Sequence, residues 1–202
     1  MFLTLQRRVI PMNKPLHLLV GRSASGKTSV ASLLEEKYNM SQTQSYTTRP
    51  KRYFGEIGHV FVSDSQFDKL KNIVGYTEYN GFRYCATQEQ LDYADMYVVD
   101  VPGVETLLEK YSSDRPIVVF YFDASIRTRI NRMLERGDHD TAVISRLYTD
   151  EEFDWHDELN KLVWNAKNND GRNIEMYVID ANQDLDNVML QVTRYINNKE
   201  TE

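Results

Sequence analysis

The chain has 202 residues, 41% of them hydrophobic and 27% charged, with a net charge of −6. That length buries a real core in one domain and leaves room for small inserted lobes. The acidic balance argues against a nucleic-acid binder held by counterion release, no apolar run approaches the ~20 residues of a membrane span, and the single cysteine, Cys85, excludes an internal disulfide and points to a reducing compartment. The expectation is a cytoplasmic protein, monomer or homodimer, with no nucleic-acid or membrane partner.

In chain order, Met1–Lys14 carries Arg7 and Arg8 but no long apolar core and no small-residue cleavage site, so it reads as a leader or an extra edge segment, not a secretory signal. Leu16–Val20 is an apolar run with the character of a buried strand. Gly21-Arg22-Ser23-Ala24-Ser25-Gly26-Lys27-Thr28 follows, and Val30, Leu33 and Leu34 then share one face at helical spacing. G-x-x-x-x-G-K-T between a strand and a helix is a P-loop. Its glycines let the backbone wrap an anion, and its amides and the helix N-terminus point donors at phosphate oxygens. Gly21, Ser23, Ala24, Ser25, Gly26, Lys27, Thr28 and Ser29 are therefore expected to bind ATP. Lys27 would reach the transferring phosphates and Thr28 would offer its hydroxyl to magnesium.

Four short strands are expected next, around Ser45–Thr48, Val60–Val62, Ile73–Tyr79 and Phe82–Cys85, with Asn80-Gly81 as a hairpin turn. A short helix over Ser65–Lys71, capped by Ser63 or Ser65, falls between them. Buried strands recur at Met96–Val101, Ile117–Phe122 and Met176–Asp180. Helices are expected over Val104–Tyr111, Ser125–Glu135, much of Asp138–Asp170, and Leu185–Ile196. Ile126, Ile130, Met133 and Leu134 would form the inner face of the second of these. Strands alternating with helices around a P-loop indicate an α/β fold with a parallel sheet, and ligands bind beyond the carboxyl ends of its strands.

Two basic sets stand out. Arg49, Lys51 and Arg52 beside Gly55-Glu56 would fork a second phosphate, since guanidinium matches phosphate bidentately. Arg129, Arg132 and Arg136 share a helix face. Arg132, Arg136 and Arg146 are the candidates for stabilising charge on a transferring phosphoryl group, whereas Arg127 and Arg129 read as a solubilising face. Asp100, ending a strand, would orient magnesium or its waters, or else cap a helix. The histidines lack zinc-ligand spacing, and Cys85 reads as a packed thiol.

Gly21–Thr28, Ser45-Tyr46-Thr47-Thr48-Arg49-Pro50-Lys51-Arg52, Gly55-Glu56, Phe61-Val62-Ser63, Gly81-Phe82-Arg83-Tyr84, Asp100–Gly103 and Arg132-Met133-Leu134-Glu135-Arg136-Gly137 with Arg146 together resemble guanylate kinase, in order and spacing from residue 16 to about 190. The S-x-T-T-R-x-x-R element is the most specific part. The resemblance implies a P-loop kinase with a three-layer core and a parallel sheet (about 14–40 and 94–202), an inserted small β-rich monophosphate-binding lobe (about 41–93) and a helical lid (about 136–160). It implies small-molecule nucleotide partners, magnesium as cofactor, and transfer of the γ-phosphate of ATP to a nucleoside monophosphate. Lys27, Arg132, Arg136 and Arg146 would be catalytic. Ser45, Arg49, Arg52, His59, Glu78, Tyr84 and Asp100 would bind substrate, and Thr28 and Asp100 would serve the metal.

The departures from the family lie at the base end. A phosphate-contacting tyrosine is replaced by His59. The glutamate that reads guanine falls at Gly75, with Glu78 aligned to a different acidic position, and the base-reading hydroxyl falls at Ala86 beside Thr87. Such losses relax or change base specificity. GMP or dGMP is the first acceptor implied. A different phosphorylated acceptor, such as another deoxynucleoside monophosphate or ribose 1,5-bisphosphate, and a non-catalytic binding module are the alternatives.

Overall fold

In the computed structural model, which describes residues 14–52, 54–150 and 154–199, strand β1 (Leu16–Val20) is buried along its whole length. It leads through the glycine loop into helix α1 (Lys27–Tyr38), which buries Val30, Ala31 and Leu34 and stops where Asn39 turns left-handed. Next come β2 (Ser45–Thr47), β3 (His59–Phe61), the one-turn helix α2 (Asp64–Phe67), β4 (Ile73–Tyr79), β5 (Phe82–Thr87) and the short α3 (Gln88–Asp92). The remainder runs β6 (Met96–Val99), α4 (Val101–Lys110), β7 (Ile117–Asp123), α5 (Ile126–Glu135), α6 (Asp140–Asp150), α7 (Trp155–Asn168), β8 (Ile174–Asp180) and α8 (Leu185–Lys199).

The strands form two sheets. β6, β1, β7 and β8 lie side by side in that order, all parallel. Residues alternate across a strand, so Leu16, Leu18 and Val20 of β1 pack with α4 and α7 through Val104, Leu107, Leu159 and Val163. Leu19 faces the other way, toward Val30 and Leu34 of α1 and Val192 of α8. A sheet covered on both faces needs apolar residues on both, hence the unbroken run in β1. The result is a three-layer α/β core. The second sheet, β3-β2-β5-β4, is mixed: β2 and β3 are parallel, and the β4–β5 hairpin turns at Asn80-Gly81, whose φ values of 50° and 74° suit a two-residue turn. Among the described residues no helix is long and apolar enough to cross a membrane.

Three expectations need correction. The strand expected over Met96–Val101 stops at Val99, because Asp100 caps α4 by accepting from the Gly103 N–H and Pro102 suits a helix start, so α4 begins three residues earlier than expected. The expected inner face of α5 is only partly inward. Ile126 and Leu134 are 50% and 48% exposed, while Arg129 is 1% exposed beside Met133. Helix α3 was not expected; a capping box between Thr87 and Gln90 starts it. The expected leader or edge segment lies, except for Lys14, outside the described residues. The packed thiol of Cys85 is borne out, since it is buried and burial pushes it up to about 12.

Candidate functional site

The loop between β1 and α1 sits at the carboxyl end of the parallel sheet. Its first glycine is obligatory: at Gly21 (φ 153°) a Cβ would lie 2.7 Å from the Phe122 carbonyl oxygen and 2.9 Å from Ser25 Oγ. Ala24 (φ 59°) takes up the left-handed conformation that L residues rarely adopt. Lys27 folds back over the loop and donates to the carbonyls of Gly21 and Arg22, the latter at 2.9 Å. Burial lowers its pKa to about 8, against the pull of Asp150 and Asp100. Thr28 and Ser29 are exposed at the helix start.

Two clefts open on either side of Lys27. The first, of about 580 Å³, is walled by the loop, the start of α1, Arg132, Arg136 and Leu185. The second, of about 180 Å³, is reached from the other sheet and carries Ser45, His59, Thr77, Tyr84 and Asp100. Lys27 lines both. A larger groove, of about 770 Å³ between α7 and β8, lies away from the loop.

On the first side, Arg132 crosses to the loop, donating to the carbonyls of Ser25 (3.2 Å) and Gln183 (3.1 Å). Arg136 and Arg146 converge on the carboxylate of Asp138. Burial alone would raise that carboxyl, yet the two guanidiniums hold it below its ordinary value. Of the three arginines expected on the transferring group, Arg132 and Arg136 line this cleft and Arg146 joins Arg136 at Asp138.

On the second side, β2 and β3 bring Ser45 Oγ within 2.8 Å of His59 Nδ1, and His59 packs edge-on to Tyr84. Burial, then the charge of Arg49, pushes His59 down to about 4, so its ring is neutral near pH 7. Arg49, 7% exposed, grips the Glu56 carboxylate with both terminal nitrogens (3.2 and 2.8 Å), and the Arg52 N–H adds a third bond at 2.6 Å. The Arg49 Nε is buried, and the Arg49 guanidinium also feels the Tyr84 hydroxyl. Arg52 is exposed and feels the charges of Arg49, Arg146 and Arg136. The basic groups after β2 thus feel those at the end of α5 and on α6.

Glu78 is the expected substrate contact that the structure removes. It is exposed, accepts a bond from Tyr76, and pairs across the strands with Arg83. A strand alternates its faces, and the face carrying Tyr84 belongs to its cross-strand partner Thr77, whose hydroxyl donates to Asp100 at 2.8 Å. The other base-reading positions are closed as well. A Cβ at Gly75 (φ 60°) would sit 2.9 Å from the ring of Tyr97, Ala86 is fully buried, and Thr87 is spent capping α3.

Of the two roles that its position allowed, Asp100 takes the helix cap. It caps α4 and also lines the second cleft, and burial raises its pKa against the bonds from Gly103 and Thr77. Among the described residues no group of three His, Cys, Asp or Glu could hold a metal. Thr28 lines the first cleft and Asp100 the second, one hydroxyl and one carboxylate on either side of Lys27, and a magnesium ion would have to arrive with its waters on nucleotide phosphates.

Several site residues escaped the sequence. Arg129, read as a solubilising residue, is buried against Asp150 at 2.8 Å; nothing in the sequence links positions 21 residues apart. Thr77 and Tyr79 depended on strand register. Glu56 and Asp138 were legible as acids close to arginines.

No family model matches the chain. A guanylate kinase from Agrobacterium fabrum (strain C58) is 28% identical over 134 residues, covering 60% of this chain, and the chain spans about 60% of that relative's length. The crystal structure of guanylate kinase from Anaplasma phagocytophilum superposes with a TM-score of 0.51 at 14% identity, covering 96% of this chain and 90% of that one. This likeness is one of fold.

Proposed function

We propose that this chain, which is similar to a guanylate kinase in sequence and to another in fold, is an ATP-dependent kinase of a nucleoside monophosphate, with GMP or dGMP as the first acceptor to test. The observation that carries the reading is the place of Lys27, shared by a cleft on the loop side and a cleft on the side of Ser45, His59 and Tyr84. ATP phosphates would take the loop amides, and the acceptor phosphate would take Ser45, Arg49, Arg52 and Tyr84. The two phosphates would then meet at Lys27.

In this reading Lys27 leaves the carbonyls of Gly21 and Arg22 to follow the transferring phosphoryl group. Arg132 and Arg136, with Arg146 through movement of the lid, spread positive charge over the equatorial oxygens that become charged in the transition state. No covalent enzyme intermediate is needed, so positioning and charge carry the catalysis. Magnesium, held by the nucleotide with Thr28 and Asp100 nearby, would neutralise the phosphate oxygens.

A different phosphorylated acceptor is the second reading. The tight Gly75–Tyr97 approach favours it, because it leaves no room for a base-reading side chain. The test is ADP formation from ATP and magnesium with a panel of ribo- and deoxynucleoside monophosphates plus ribose 1,5-bisphosphate. Selective turnover with GMP or dGMP supports the first reading, and selective turnover elsewhere the second. ATP binding without turnover on any acceptor would leave a binding module.

A further inference from the structure

We infer that Asp150 is a positioning residue that holds the phosphate-binding loop in shape from the far end of the lid helix. The inference rests on the reading of Gly21–Thr28 as an ATP site and assigns that site a support it draws from elsewhere in the chain. Asp150 is the last residue of α6 and has no exposed surface. Its carboxylate accepts from Arg129 of α5 at 2.8 Å, from the Ser23 N–H at 2.9 Å, and from the Ser23 and Tyr79 hydroxyls at 3.3 Å each. Its own carbonyl accepts from Arg22 Nε at 3.1 Å. Thr149, one residue earlier, bonds Asn80 at the tip of the β4–β5 hairpin. One turn of α6 thus touches the loop, α5 and the second sheet.

The chemistry explains why a carboxylate is needed. A loop that offers amides to anions leaves N–H groups without protein partners, and here one of them is already taken by an anion belonging to the chain. That bond holds the Arg22–Ser23 peptide, one residue ahead of Ala24, which is left-handed at φ 59°. A non-glycine residue in that conformation persists only when its surroundings hold it there. Arg129, 1% exposed, places the opposing charge 2.8 Å from the carboxylate of Asp150 in a dry place. Burial pushes the Tyr79 phenol up to about 12, so it stays a neutral donor to the pair. A buried ion pair is weak evidence of a stabilising role. Its bond to a loop amide instead points to shape.

The test reads ATP affinity by calorimetry in the full chain with magnesium, beside the unfolding midpoint. Arg129→Met with Asp150→Leu removes the pair without leaving a buried charge. It is expected to keep the fold and weaken ATP binding about tenfold, which corresponds to about 1.4 kcal/mol. Arg129→Gln with Asp150→Asn restores an oxygen to accept from Ser23 and is expected to return affinity to within about threefold of wild type. Equal ATP affinity in all three proteins would overturn the inference, as would equal loss in both variants. Should the apolar pair fail to fold, amide exchange at Ser23 of the nucleotide-free wild type decides: slow exchange supports the bond and exchange at the rate of an open loop overturns it. Because the readout is binding, a wild type that binds ATP without transferring phosphate sinks the kinase reading alone. A wild type that binds no ATP sinks both.

Discussion

Two regions of the molecule, one around Lys27, Ser45 and Arg49 and the other around Gly75 and Ala86, are built by different means. At the phosphate end, polar groups are crowded and held: Arg49 by Glu56, Ser45 by His59, Lys27 by loop carbonyls. At the far end, Gly75 and Ala86 present no side chain that could read a base, and Tyr97 fills the space above Gly75 while donating to its carbonyl at 3.3 Å. In the proposed kinase reading, phosphate is a constant of the chemistry and would be met by fixed cations and amides. The rest of an acceptor varies, and its recognition depends on a few buried polar atoms whose loss changes specificity. In the proposed reading, the contrast teaches that the transferring machinery and the choice of acceptor would be separable in this chain.

The largest expected effect is at the shared residue. Lys27→Ala should lower phosphoryl transfer by at least about 100-fold, as loss of one charge-stabilising donor commonly does, with the unfolding midpoint little changed; wild-type turnover would break the assignment of the loop. At the phosphate end, Arg49→Ala should raise the acceptor KM by roughly 10–100-fold, or about 1.4–2.8 kcal/mol, while the KM for ATP holds. An unchanged acceptor KM would remove Arg49 from the site. The far end should answer in stability. Gly75→Ala forces a left-handed alanine against Tyr97, at a cost of about 1–3 kcal/mol, which chemical denaturation would measure. Thr77→Val strips Asp100 of one donor and should cost about 1 kcal/mol, with a small change in the acceptor KM. A neutral result there would make the Thr77–Asp100 bond incidental.

Acid provides the mildest probe. Burial lowers both His17 and His59 from 6.5 to about 4. A histidine kept neutral by the fold contributes stability that is complete above its unfolded pKa and is lost as pH falls through the folded one. The melting temperature should therefore drop between pH 6.5 and pH 4. Replacing His17, which stacks on Phe120 inside the sheet, by Gln should flatten the slope. A wild-type curve flat across that window would contradict the burial of these rings.

Periodicity carried most of the fold into view. β1 and β4 fall where the apolar and alternating runs put them, and the Asn80-Gly81 turn was readable from its dipeptide. What escaped was long-range or fine-grained. Arg129 reads as surface on any helical wheel, because the carboxylate that lets it be buried lies on another helix. Glu78 was misplaced because one position of strand register decides which face a side chain takes, and the ladder between β4 and β5 shifts between Val74 and Thr77. Asp100 ended β6 two residues early because a helix cap and a strand end look alike in an apolar run followed by an acid. The loop and the basic residues of the site were legible because phosphate chemistry demands particular residue types at short spacing.

The account turns on two phosphates meeting at Lys27, and following the label of γ-³²P-ATP tests it most directly. With magnesium and a panel of nucleoside monophosphates, label should appear in a nucleoside diphosphate in wild type and not in Lys27→Ala. Label found only as inorganic phosphate, or still in ATP with every acceptor, would contradict it.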